Sequence, residues 1–98
     1  MSVPKKNTPP IIKRVPSLAA VDYSDMKIPM AVVYNSPADF PGKVIARVFE
    51  GATNQPTNVY CEYETVAKGM RDAENAGFTA YFPRSILDPK NIVGTYIR

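Results

Sequence analysis

Cys61, Glu62 and Glu64 stand together just past the middle of a 98-residue chain, and they are the residues best placed to do chemistry. Carboxylates two positions apart fall on one face of a strand, where their mutual repulsion can raise one pKa and separate an acid from a base. A neighbouring cysteine could serve as a thiolate nucleophile if a positive group lowered its pKa. The partners such a site needs are missing. The chain has no histidine, so the commonest general base and the commonest metal ligand are absent, and no Ser-His or Cys-His nucleophile can be built from it alone. A zinc site would have to combine Cys61 with carboxylates, an uncommon donor set. The five glycines stand singly at 42, 51, 69, 77 and 94, so no glycine-rich loop can cradle a phosphate. The residues therefore argue against an enzyme, and the expected site has no catalytic residue, cofactor or metal. Cys61 reads as a small buried hydrophobe in phase with Val59 and Tyr63. Glu62 and Glu64 read as solvated carboxylates ahead of a helix.

Binding is the class that remains. Lys43, Arg47, Phe49, Tyr60 and Tyr81 are placed by strand phase on the sheet face away from the helix, and Arg84 follows Tyr81 closely. Cations for phosphate and rings for stacking are what a single-stranded nucleic acid requires of a sheet. Lys5, Lys6, Lys13 and Arg14 add a second basic group near the N-terminus.

The elements that must position these residues follow from periodicity. Met30–Tyr34 is a short β-type run. Ser36-Pro37-Ala38-Asp39 has the order of a capping box and predicts a single helical turn, and Pro41-Gly42 predicts a turn after it. Lys43–Glu50 alternates clearly, with Val44, Ala46 and Val48 on one face and Lys43, Ile45, Arg47 and Phe49 on the other. Thr57–Tyr63 is the third strand. Thr65–Ala76 is the one helix, N-capped by Thr65, with an apolar stripe of Val66, Met70 and Ala73 and with Gly77 at its C-terminal end. Phe78–Phe82 and Ile92–Ile97 are two further strands around the loop Pro83–Asn91. The expected fold is α+β, in the order β-β-β-α-β-β. The first three strands form an antiparallel meander, strand four lies parallel to strand three after a right-handed crossover, and one helix covers one face of a small mixed, mainly antiparallel sheet.

Charge divides the chain into two parts. Residues 1–27 carry five basic groups against two acidic ones, a net of +3, whereas residues 28–98 carry seven of each. Four of the ten prolines fall in the first sixteen residues. The expected organisation is a basic, proline-rich, flexible tail over 1–27 and one domain over 28–98. Within the tail, Leu18, Val21 and Tyr23 are apolar enough to dock, either on the body of the protein or in a partner groove. A lone cysteine and the lack of a membrane-length apolar run point to a cytoplasmic protein with no membrane contact.

The expected function is a non-enzymatic protein-interaction domain, of the accessory or inhibitor type, that binds another protein or itself as a homodimer. The first or the last strand, as a sheet edge, offers one route to a partner. The alternative is a nucleic-acid-binding protein that uses the basic tail and the open sheet face. A small-molecule site under the Ser36–Gly42 loop is a third reading, with no ligand class attached.

Overall fold

A computed structural model describes residues 13–98. Lys5 and Lys6 lie outside the described residues. Among these residues six strands form one sheet: β1 (Lys13–Arg14), β2 (Pro29–Asn35), β3 (Val44–Glu50), β4 (Gln55–Tyr63), β5 (Ala80–Pro83) and β6 (Ile92–Ile97). Helix α1 (Val66–Asn75) joins β4 to β5, and a short 3-10 turn spans Leu18–Ala20. The order across the sheet is β1-β4-β3-β2-β6-β5. Every neighbouring pair is antiparallel except β1 with β4.

The small α+β class and the β2-β3-β4 meander are as the periodicity predicts. The crossover differs. β5 runs in the direction of β4, but β3, β2 and β6 lie between them, and β5 pairs with β6 at the far edge. The places beside β4 are taken by β3 and β1. The first long strand and the last are interior, so the edges belong to β1 and β5 and not to the strands expected there.

Residues in register share a face. Ala31 and Val33 of β2 align with Val48 and Ala46 of β3, Ala46 aligns with Cys61, and Ala31 aligns with Tyr96 of β6. These residues form the buried core under α1. Thr65 caps the helix through its side chain, which accepts from the Lys68 N–H. Gly77 ends it at φ +94°, a conformation glycine reaches without strain.

One ten-residue helix is about 15 Å long, while six strands span about 24 Å, so α1 cannot cover the sheet face. The segment before β2 completes the cover. Leu18 and Tyr23 are buried in the core, and the Tyr23 ring meets Phe78 edge-on with centroids 5.4 Å apart. The Tyr23 hydroxyl donates to the Leu18 carbonyl at 2.7 Å, which satisfies both groups inside the core. Residues 13–27 therefore belong to the body and not to a separate tail, and the docking of Leu18 and Tyr23 is on the protein itself. Burial of Leu18 alone stabilises this arrangement by about 1.5–3 kcal/mol.

Asp72 of α1 fixes the segment further. It accepts from the Ser17 hydroxyl at 2.7 Å, from the Leu18 N–H at 2.9 Å and from the Tyr63 hydroxyl. One carboxylate thus joins the entry segment, the helix and β4.

Candidate functional site

Of the residues with catalytic potential, Glu62 and Glu64 border one open cleft with Arg14, Lys43 and Lys68, while Cys61 is buried in the core. Glu62 faces away from the helix and pairs with Lys43 at 3.1 Å and with Arg14 at 3.9 Å. Glu64 pairs with Lys68 at 2.8 Å, one turn along the helix, and that ammonium holds its carboxyl below the usual range. The two carboxylates have separate cations and do not form an acid–base pair. Cys61 is fully buried, and burial pushes its thiol up to about 11. Among the described residues there is no cluster of three His, Cys, Asp or Glu side chains that could hold a metal.

The basic–aromatic set is brought together in part. Arg14, Tyr60 and Arg47 are successive register partners across β1, β4 and β3 and share the face away from α1. Lys43 joins them through Glu62. Lys13 aligns with Val59 and belongs to the opposite face. Tyr81 is also on that opposite face: it is in register with the buried Tyr96, its ring centroid 4.7 Å away. The expected phase counted the strand from Phe78, but the strand starts at Ala80 and Phe78 enters the core from the connection ahead of it. Tyr81 therefore lies over Gly94 on the α1 side of the sheet, still 37% exposed, and an added Cβ at Gly94 would stand 2.5 Å from its ring. Gly94, which reads as a weak point of the last strand, is the seat for this ring. Arg84 is spent within its own loop, where its guanidinium donates to the carbonyls of Pro89 and Asp88 at 3.2 Å each.

The face away from α1 is itself partly roofed. After β2 the chain turns at Ser36, whose φ is +54°, and one hydrogen-bonded turn follows, in which the Phe40 N–H donates to the Pro37 carbonyl at 3.0 Å, without a helix. The Ser36 N–H donates to the Lys43 carbonyl at 2.7 Å and closes the neck of the loop, and the Ser36 hydroxyl accepts from the Gly42 N–H at 2.8 Å. The hydroxyl thus ties the loop together in place of capping a helix. Phe40 is carried onto Tyr60, with ring centroids 5.0 Å apart, and Pro37 is buried. Between this loop and the sheet lies a half-open cleft of about 240 Å³, bordered by Tyr34, Ile45 and Arg47 from the strands, by Pro37, Asp39 and Phe40 from the loop, and by Asn91. Burial raises the Tyr34 pKa, with Arg47 opposing and Asp39 adding to the shift. Neither Arg47 nor Asp39 has an opposite charge within 4 Å among the described residues.

The feature that sequence reading missed is the tip of the β5–β6 loop. Ile86 and Leu87 are 90% and 92% exposed, and Phe82 on β5 is 55% exposed. The loop is held by its own bonds. Asp88 accepts from the Ser85 N–H at 2.9 Å, the Asp88 N–H donates to the Ser85 carbonyl at 3.1 Å, and the Leu87 N–H donates to the Ser85 hydroxyl at 3.2 Å. Arg84 braces the other side. An apolar pair between Arg-Ser and Asp-Pro was the available signal, since it fits neither strand nor helix periodicity.

The β5 edge beside this loop is blunted. The Arg84 N–H donates inward to the Val93 carbonyl at 3.2 Å, and alternation then directs the Pro83 position outward. Pro83 has no N–H to offer a further strand there.

No helix of the described residues is long and apolar enough to cross a membrane. No protein-family model, curated protein or solved structure matches the chain.

Proposed function

We propose that the chain is a protein-interaction domain and that its contact element is the 84–91 loop. The observation that carries this reading is the presentation of Ile86 and Leu87, about nine-tenths exposed, on a loop already held in shape by Arg84, Ser85 and Asp88. Two adjacent aliphatic side chains in water are a cost that a partner removes, at about 1.5–3 kcal/mol for each one fully buried. A loop ordered before binding loses little further conformational entropy on association. The blunted β5 edge favours anchoring by side chains over strand addition. The separate ion pairs of Glu62 and Glu64 and the buried Cys61 support a role in binding and not in bond-making.

The test compares the wild-type chain with I86S/L87S as immobilised baits, offered both an extract of the source cell and the purified chain. The reading expects a protein retained by the wild type and lost by the variant. Identical retention by the two baits would end it.

Nucleic acid is the second reading, favoured by the Arg14–Tyr60–Arg47 row. It has less support, because Phe40 covers the Tyr60 ring and Glu62 engages both Arg14 and Lys43. It expects affinity for a single-stranded probe that falls steeply with added salt. No binding at low salt would dismiss it.

A further inference from the structure

The apolar tip and the roofed cleft lie at the same end of the sheet. The Asn35 N–H donates to the Asn91 carbonyl at 2.7 Å, so the loop that ends in β6 and the loop that begins after β2 are tied at their bases. Asn91 also borders the cleft. One molecule therefore carries an exposed aliphatic pair and, close by, a cleft of about 240 Å³ walled by Tyr34, Pro37, Phe40 and Ile45. The tip does not fill the cleft of its own chain, since Ile86 and Leu87 are in solvent.

We propose that the occupant of the cleft is the Ile86–Leu87 tip of a second copy of this chain, exchanged reciprocally about a twofold axis that passes near Asn91. The inference rests on the reading of the loop as a contact element and names its partner. A twofold interface requires that one surface carry both the projecting and the receiving part, and this end of the sheet does. Charge agrees with the exchange. The cleft holds Arg47 and Asp39, neither of which forms an ion pair among the described residues. The tip is followed by Asp88, whose carboxylate accepts only from the Ser85 N–H, and by Lys90, and neither has an ion pair among the described residues. Entry of the tip sets Lys90 toward Asp39 and Asp88 toward Arg47, an acid and a base on each side. A surface of uniform sign would repel its own copy, whereas this one carries both signs.

Sedimentation equilibrium of the full chain provides the test. The wild type is expected to dimerise, and I86S/L87S to weaken the dimer on the order of a hundredfold or more by removing the anchors from both contacts. Because those residues are exposed, the variant keeps its fold, which thermal melting verifies. D39K and K90E alone are each expected to weaken the dimer about tenfold, since every pair occurs twice, and D39K/K90E together to restore it. A wild type that stays monomeric at the highest attainable concentration overturns the proposal, as does a dimer indifferent to I86S/L87S or a double charge reversal without restoration. A monomer whose tip still captures a different protein overturns the second copy and leaves the contact element standing.

Discussion

The Asn35 N–H donates to the Asn91 carbonyl at 2.7 Å, and this bond joins the loop that bears the exposed Ile86–Leu87 pair to the loop that roofs the cleft. α1, the Leu18–Tyr23 segment and the core beneath them lie on the face away from the Ser36–Gly42 loop.

The first prediction concerns that support. Leu18→Ala should lower stability by about 2–5 kcal/mol, because Leu18 is fully buried and its removal leaves a cavity beside α1. Asp72→Ala should cost about 3 kcal/mol, because the Ser17 and Tyr63 hydroxyls and the Leu18 N–H all lose their acceptor. Denaturant melts of the two variants provide the check. A loss under 1 kcal/mol for Leu18→Ala would show that the entry segment is not part of the folded unit.

A second prediction concerns alkaline pH. Burial pushes the Cys61 thiol from 9.0 up to about 11 and the Tyr96 phenol from 10.0 up to about 12, and it also raises Tyr23 and Tyr63. Each group is an acid whose neutral form the fold prefers. The unfolded chain loses these protons at lower pH than the native one, so stability is complete below about pH 9 and declines from there toward pH 12. Thermal melting temperature against pH should be level near neutrality and fall in that window. In the same range Cys61 should react with a thiol reagent only as fast as the chain unfolds.

The acid side rests on a different residue. Glu50 accepts from the N–H groups of Lys27 and Ile28, both at 2.9 Å, and of Ala52 at 3.1 Å, and these bonds hold its carboxyl below the usual range. Its stabilising effect is present above the ordinary carboxyl pKa of 4.5 and is lost as pH falls through the lowered one. Glu50→Gln should flatten the acid limb of the stability profile and speed amide exchange at Lys27 and Ile28.

Much of this architecture was legible in the chain. Val44, Ala46 and Val48 fall on one strand face by alternation, and the Thr65 cap and Gly77 stop bound the helix where the structure has them. The sheet order was not legible, because the strands on either side of a helical crossover do not state how many others lie between them. Proline and positive charge made residues 13–27 read as a tail, while the need to bury Leu18 and Tyr23 decided their place. Ser36 carried the composition of a helix cap, yet its hydroxyl closes the loop on Gly42. Of the candidate contacts, the Arg14–Tyr60–Arg47 alignment follows from register. Tyr81 was misplaced by one residue of phase, and one residue moves a side chain to the other face. Ile86 and Leu87 lay in a stretch with no period, where an apolar pair does not reveal whether it is buried or displayed.

The substitutions I86S/L87S should leave the melting temperature within a few degrees of wild type, since side chains about nine-tenths exposed contribute little to the fold. A large drop would mean that the loop is packed and not displayed.

The most direct measurement is a concentration series of amide NMR spectra of the wild-type chain. As concentration rises, the amides of Ile86 and Leu87 should shift together with those of Ala38, Phe40 and Ile45, with one common midpoint. Shifts confined to the β1 or β5 edges, shifts at the tip without the cleft, or spectra unchanged over the whole range would contradict the reciprocal exchange.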